Sequence, residues 1–279
     1  MWQNSYDNSS TLYLIPTPIG NLEDMTIRSI NILKLVDVIF CEDTRVTLLL
    51  LNHFEIKKKV IALHEHNEET AKEKVLEYLK NGSSVAIVTD RGTPIISDPG
   101  YKTVKYVSSL GYNVVALPGA NAFVPALIVS GIEPAPFVFY GFLNSKDSKR
   151  KQELEKLKFC RYTMIFYEAP HRIKRTMEEM YETFGDREVS LSREISKKYE
   201  SVYRGVISNL LPTLDDIKGE FVIVVSPFKD ENVIVEEVSL KDNVSLYVEN
   251  GMDVMDAIKR VAKERNIAKN EVYKEYHRR

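Results

Sequence analysis

Val85-Ala86-Ile87-Val88-Thr89-Asp90-Arg91-Gly92-Thr93-Pro94-Ile95-Ile96-Ser97-Asp98-Pro99-Gly100 is an apolar run that passes directly into a loop with two glycines, two prolines and two carboxylates. A short apolar run bounded by turn residues reads as a buried strand. The loop is stiff, sharply turned and rich in accessible backbone, unlike an ordinary surface connection. In α/β proteins ligands bind beyond the carboxyl ends of parallel strands. The loop is therefore a candidate cradle. The competing reading is a turn-rich connection in which Asp90 and Asp98 cap their own backbone.

The same device recurs twice. Leu12-Tyr13-Leu14-Ile15 ends in Pro16-Thr17-Pro18-Ile19-Gly20-Asn21-Leu22, and Asn113-Val114-Val115-Ala116-Leu117 ends in Pro118-Gly119-Ala120-Asn121-Ala122. Three strands whose carboxyl ends all carry such loops imply one shared crevice for a nucleotide-like or cofactor-like ligand. Between Leu12 and Leu117 strand-like runs alternate with helical patterns, the mark of βα units around a mostly parallel sheet. Asp24 is expected to cap a first helix with Ile27, Ile30 and Leu33 on one face, and 36–40 is the next strand, ending in Cys41-Glu42-Asp43-Thr44-Arg45. Val60-Ile61-Ala62-Leu63 ends in His64-Glu65-His66-Asn67, before an amphipathic stretch through Ala71, Val75, Leu76 and Leu79 that Gly82 terminates.

Between 119 and 135 prolines and glycines interrupt a small-residue helix, which suggests a domain junction. Beyond it come four more strand-like runs, at 137–140, 163–167, 188–191 and 220–225, with an amphipathic helix over 173–184. Short connections there favour more antiparallel pairing. After Val225 the chain turns acidic and loop-like through Asp230, Glu231, Glu236 and Glu237, then helical and basic from Asp253, with a break near Asn266 and a second helix from Lys269. The expected organisation is a polar extension (1–11), an α/β domain (12–120), a second α/β domain (121–228), and an acidic linker with a basic helical appendage (229–279).

Composition narrows the class. At 279 residues and 44% hydrophobic content the chain can bury substantial cores. Cys41 and Cys160 are its only cysteines, too few for a disulfide framework or a cysteine-rich metal site. No signal-peptide pattern opens it and no apolar run approaches the roughly 20 residues that span a bilayer, so a cytoplasmic location without membrane attachment is expected. A net charge of −2 does not announce a nucleic-acid binder. Local charge does more: Lys146, Lys149, Arg150, Lys151, Lys156, Lys158 and Arg161 cluster in one segment, and Lys259, Arg260, Lys263, Arg265, Lys269, Lys274, Arg278 and Arg279 mark the terminal helices.

Thr17-Pro18-Ile19-Gly20-Asn21-Leu22, Cys41-Glu42-Asp43-Thr44-Arg45, His64-Glu65-His66-Asn67-Glu68, the 90–100 loop, Leu117-Pro118-Gly119, Gly141-Phe142-Leu143, Phe166-Tyr167-Glu168-Ala169-Pro170-His171-Arg172, Ser192-Arg193-Glu194 and Lys218-Gly219-Glu220 resemble, in order and spacing, the bacterial small-subunit ribosomal RNA 2′-O-methyltransferase I family. That family is a branch of the tetrapyrrole-methylase-like, class III S-adenosylmethionine-dependent methyltransferases. The resemblance covers 12–225. It implies an α/β fold of two domains with the cofactor cleft between them, a homodimer, and methylation of the ribose 2′-hydroxyl of a decoding-centre cytidine in 16S rRNA of the small ribosomal subunit. Two departures are visible: Arg91 where the family usually has a small residue, and Asn121 where serine or cysteine is commoner.

Strand-end placement and the resemblance together suggest a cofactor cradle of Pro18, Gly20, Asp90, Gly92, Thr93, Ile96, Asn121, Ala122, Tyr167 and Glu168. Glu42, Arg45, His64 and His66 are candidates for the chemistry, since a His or carboxylate can take the hydroxyl proton. Asp43, Asn67, Lys149, Arg150, Lys151, His171 and Arg172 are candidates for RNA contact. Against these stand structural ion pairs, Glu42 with Arg45 or Glu168 with Arg172, and solvated helix faces for the basic runs. His64-Glu65-His66 without a third partner is weak evidence for a metal, and none is expected. Two other functions remain open: a methylase of a tetrapyrrole-like small molecule, and a non-catalytic RNA-binding factor on the same fold. A nicotinamide-dependent enzyme is disfavoured, because the first strand lacks a Gly-x-Gly-x-x-Gly turn.

Overall fold

The computed structural model describes residues 2–3, 5, 7, 9–229, 239–249, 252–265 and 267–277. The acidic stretch at Asp230, Glu231, Glu236 and Glu237, the break at Asn266, and Arg278 and Arg279 lie outside the described residues. Residues 1–228 form one compact unit and 229–279 another.

The first unit contains two sheets. In the first, β1 (Thr11–Ile15), β2 (Val38–Cys41), β3 (Lys59–Ala62), β4 (Val85–Val88) and β5 (Asn113–Ala116) run parallel in the order β3-β2-β4-β1-β5. Their near-continuous apolar runs suit strands covered on both faces. Side chains alternate between those faces. Tyr13, Ile15, Ile39, Cys41, Ala86 and Val88 pack with Leu33 of α1 (Ile27–Leu35) and Leu51 of α2 (Thr44–His53). Leu12, Val38, Phe40, Val85 and Ile87 face the other way, onto Ala71, Val75 and Leu79 of α3 (Glu68–Lys80) and Val107 of α4 (Tyr101–Ser109). Full burial of each such Val, Leu or Ile side chain contributes about 1.5–3 kcal/mol. Because β1 lies between β4 and β5, the three special loops emerge side by side.

The cap of α1 differs from expectation. Thr26, not Asp24, begins it, accepting from Ser29 N at 3.0 Å. Asp24 instead ends a short 3-10 turn and accepts a hydrogen bond from the Ser196 hydroxyl. Residues 36 and 37 complete the turn out of α1, so β2 starts at Val38.

After α5 (Phe123–Val129), the second sheet is built from β6 (Phe137–Phe142), β7 (Thr163–Glu168), β8 (Glu188–Arg193), β9 (Ser201–Val206) and β10 (Phe221–Val225), ordered β6-β7-β10-β8-β9. Only β6 and β7 pair in parallel; the other pairs are antiparallel. One face holds Met164, Phe166, Leu191 and Ile223 against α6 (Asp147–Leu157), α7 (Ile173–Phe184) and α8 (Ile207–Leu210). The other holds Ile165, Val222 and Val224 against Ala126 and Leu127 of α5.

The described residues of the second unit form three helices, α9 (Leu240–Glu249), α10 (Val254–Glu264) and α11 (Lys269–Tyr276), around Val244, Ala257, Ile258, Val261 and Val272. Asp253 caps α10 by accepting from Met255 N at 2.8 Å. The sequence reading anticipated α10 and α11 but not α9.

Candidate active site

The 90–100 loop is held from four sides. Gly92 and Thr17 exchange both backbone hydrogen bonds, Thr17 N to Gly92 O at 2.9 Å and Gly92 N to Thr17 O at 3.0 Å. The Thr17 hydroxyl donates to Thr89 O at 3.0 Å, and the Thr93 hydroxyl to Ala120 O at 3.0 Å. Buried Glu68 accepts from Gly100 N and Lys102 N, each at 3.0 Å, placing a carboxylate at the amino end of α4. Asp90 Oδ1 accepts from Asp43 N at 3.0 Å, tying the loop to the end of β2. So fastened, the loop keeps Ile95 at φ +79°, a left-handed conformation that β-branched residues rarely take.

These ties shape a cavity of about 460 Å³ reached from both sheets. That is within the range of small-molecule and cofactor sites. Ile19, Thr89 to Thr93, Ile96, Ser97 and Asp98 line one side, and Asn121 to Phe123, Phe142, Tyr167 to Pro170, Ile195 and Glu220 to Val222 the other. The second side carries four aromatic rings, Phe123, Phe142, Tyr167 and Phe221. Tyr167 meets Phe139 and Phe142 edge-on at centroid distances of 5.0 and 5.5 Å, and Phe123 lies 4.6 Å from Phe139. Burial pushes the Tyr167 phenol up to about 12, so it is neutral at physiological pH.

Charge in the cavity is negative. Burial, then Glu42 and Asp90, push Asp98 up to about 6. Burial, then Asp90, also raise Glu42. At the rim Arg91 pairs with Glu220, whose other oxygen accepts from Lys197 Nζ at 2.9 Å. Arg91 therefore joins the loop after β4 to the residue preceding β10.

Of the residues expected to cradle a cofactor, Asp90, Gly92, Thr93, Ile96, Asn121, Ala122, Tyr167 and Glu168 line the cavity, and so does Glu42. Several expectations are corrected. Pro18 and Gly20 do not line it; their turn braces Gly92 from behind, and Gly20 lies under the Lys197 stem, where a Cβ would come within 2.3 Å of Cγ. Both backbone groups of Gly92 are engaged by Thr17, so its contribution is the absence of a side chain. Glu168 is 2% exposed and engaged by Ala169 N, Arg172 and Thr176. Arg172 also donates to Leu143 O at 2.8 Å, so this pair anchors α7 to β7 and is not free for RNA. Arg150, 2% exposed, is held by Glu179 at 2.6 Å and Asp147 at 2.8 Å. It locks α6 to α7.

Other candidates stand outside the cavity. Asp43 caps α2 and pairs with Arg45, whose side chain is 87% exposed. Asn67 closes a turn, accepting from His64 N and donating to Ala62 O. His64 and His66 pack ring to ring at 6.0 Å, with His64 Nδ1 buried and unpartnered, but neither lines the cavity. Lys149 and His171 are exposed, and Lys151 pairs with Glu182 at 3.4 Å. Among the described residues no group of three or more His, Cys, Asp or Glu is placed to hold a metal ion. The sequence assigns no cavity role to Phe123, Phe142, Ile195, Glu220 or Phe221, and offers Asp98 only as a turn cap within the loop. Gly141-Phe142-Leu143, Ser192-Arg193-Glu194 and Lys218-Gly219-Glu220 flank several of them and were the available signal.

The cavity suits a cationic, partly aromatic ligand of nucleoside size. Aromatic walls offer stacking, and the carboxylates favour sulfonium and ammonium charge. Comparison with known proteins identifies the family. The sequence profile of the Tetrapyrrole (Corrin/Porphyrin) Methylases matches residues 11–211. A ribosomal RNA small subunit methyltransferase I of Bacillus subtilis (strain 168) is 48% identical, with 98% of this chain and 96% of that protein covered. One from Haemophilus influenzae is 41% identical, covering 87% and 93%. Among solved structures, a diphthine synthase superposes with TM-score 0.60 at 14% identity, covering 78% of this chain and 90% of that one. A cobalt precorrin-4 methyltransferase superposes with TM-score 0.58 at 16% identity, covering 81% and 98%. At those identities the structural matches speak to fold alone.

Proposed function

The chain belongs to the tetrapyrrole methylase family and, within it, to the ribosomal RNA small subunit methyltransferase I proteins, and on that premise we propose that it transfers the methyl group of S-adenosylmethionine to the ribose 2′-hydroxyl of a decoding-centre cytidine in 16S rRNA. It is a methyltransferase that acts on ribosomal RNA; the cofactor, the atom and the nucleotide are the proposal. The observation that carries the reading is the cavity of about 460 Å³ where the 90–100 loop, Asn121, Ala122 and Tyr167 meet at strand ends.

Gly92, Thr93, Ile96, Asn121, Ala122 and Tyr167 would hold the cofactor, which supplies an already activated sulfonium methyl. What remains for the protein is alignment of the acceptor oxygen and removal of its proton. Exposed Lys146, Lys149 and His171 would meet the RNA, along with cations of the three-helix unit. We further propose division of the larger unit at 120/121 into two domains, a cytoplasmic homodimer, and no attachment to membranes. Apolar surface on α5, where Ile128 is 69% exposed, supports self-association. No helix among the described residues is long and apolar enough to cross a membrane.

The test is transfer of labelled methyl from S-adenosylmethionine to small ribosomal subunits that lack the modification, mapped by the resistance of a 2′-O-methylated ribose to alkaline cleavage. One protected cytidine at the decoding centre is expected. Cofactor binding without transfer to RNA would favour a small-molecule acceptor instead.

A further inference from the structure

Five carboxylates line the cavity: Glu42, Asp90, Asp98, Glu168 and Glu220. Three are engaged elsewhere. Asp90 accepts from Asp43 N, Glu168 holds Ala169 N, Arg172 and Thr176, and Glu220 meets Arg91 and Lys197. Among the described residues Glu42 and Asp98 form no ion pair with Lys or Arg and accept from no backbone N–H, and only Glu42 feels a positive neighbour, His64. Both face the hydroxyl of buried Thr89, which lies 3.4 Å from Glu42 Oε2. A single hydroxyl proton serves one acceptor at a time. Glu42 is exposed and Asp98 half-buried, so Asp98 is the deeper of the two. No histidine among the described residues lines the cavity.

We propose that Asp98 is the proton acceptor for the hydroxyl that this enzyme methylates, with Glu42 and Thr89 positioning it. The inference rests on the methyl-transfer reading above. As the acceptor O–H bond breaks, its proton goes to an Asp98 oxygen and the hydroxyl oxygen bonds to the methyl carbon. The methyl–sulfur bond breaks with its electron pair left on sulfur, so the sulfonium becomes a neutral thioether. The proton then leaves Asp98 for water. A carboxylate whose burial makes it more basic than usual is better suited to this step than an exposed one. The groups facing Asp98 are Thr89, Glu42 after β2, Asp90 after β4 and Tyr167 on β7; His64 acts on Glu42. Among the described residues no cation neutralises it.

The sign of the pH dependence follows. Asp98 accepts a proton only when ionised, so the single-turnover rate rises with pH and levels off above about 6. Glu42→Gln removes a neighbouring negative charge, lowers the Asp98 pKa and moves that limb to lower pH. Because the folded pKa lies above the unfolded value, ionised Asp98 opposes folding at neutral pH, and this cost disappears as pH falls below about 4. Asp98→Asn is therefore expected to melt later than the wild type at pH 7, with the difference vanishing at pH 4.

The experiment compares wild type, Asp98→Asn and Glu42→Gln by calorimetric titration with S-adenosylmethionine, single-turnover transfer to unmodified small subunits across pH, and carboxyl-carbon NMR of aspartate-labelled protein. Expected are cofactor affinity within about threefold for Asp98→Asn, a rate loss of about 10²–10⁴-fold, and an Asp98 resonance whose midpoint falls in Glu42→Gln. Loss of cofactor binding in Asp98→Asn would overturn the proposal by making Asp98 a cofactor anchor. A rate within threefold of wild type would overturn it by removing Asp98 from proton transfer. No transfer by the wild type would instead sink the methyl-transfer reading, and this inference with it.

Discussion

Gly92 shows how one position can serve both fold and site. Its φ of +83° lies in the left-handed region, and a Cβ there would stand 3.3 Å from Ile19 Cγ2, on the wall of the cavity. Gly92→Val should weaken S-adenosylmethionine binding at least tenfold and also cost about 1–2 kcal/mol of stability through backbone strain. Calorimetry beside thermal melting separates the two effects, and undiminished affinity would remove this loop from the cofactor site. Arg150 makes the opposite point. In the sequence it is one cation in a basic run; in the structure its guanidinium is interior and braced by Glu179, 29 residues away. Arg150→Ala leaves the buried Glu179 carboxylate only the longer contact with Arg175 at 3.5 Å among the described residues, a change that costs about 3 kcal/mol. Lys149→Ala, on the same helix but exposed, should leave the denaturation midpoint within about 0.5 kcal/mol. Equal stability of the two variants would contradict the buried pair.

Between elements, the ion pair of Arg91 with Glu220 joins a loop of the first sheet to a strand of the second beside the cavity. Both side chains are more than half exposed. Such pairs contribute about 0.2–1 kcal/mol and weaken with salt. A double-mutant cycle of Arg91→Ala and Glu220→Gln on cofactor affinity should give a coupling of that size at low salt and less at 0.5 M. Zero coupling at low salt would mean that the pair does not bear on the ligand. This bridge also marks what the sequence makes legible. The strands of the first sheet follow from apolar runs between turn residues, and their shared crevice from the loops after β1, β4 and β5. Those are local signals. The link from Arg91 to Glu220 and the burial of Arg150 depend on partners distant in sequence, and no periodicity reports them. Helix α9 is hard to read from sequence because Leu240–Glu249 follows an acidic stretch and its apolar face, centred on Val244, packs with residues of α10 and α11. Asp98 was read as a cap because Asp-Pro-Gly usually is a turn; only the cavity shows its carboxylate without a backbone donor.

The division into units of 1–228 and 229–279 allows the RNA-binding contribution of the smaller one to be isolated. Its core of Val244, Ile258, Val261 and Val272 is its own, and both five-stranded sheets lie in the larger unit. Not all of its cations are available to phosphate. Lys259 pairs with Asp256 at 2.8 Å, and Arg260 with Glu264 at 3.0 Å while lying over the Tyr247 ring. Lys263, Lys269 and Lys274 are exposed and form no ion pair among the described residues. If these three meet the rRNA backbone, each releases counterions, and ending the chain at Phe228 should flatten the log–log salt dependence of RNA binding by about 2–3 in slope. Calorimetric affinity for S-adenosylmethionine should stay unchanged, because the cavity lies wholly within 1–228. Filter binding of 16S rRNA across a salt series measures the slope directly. An unaltered slope would shift the phosphate contacts to the larger unit, where Lys146 and Lys149 are exposed and form no ion pair among the described residues.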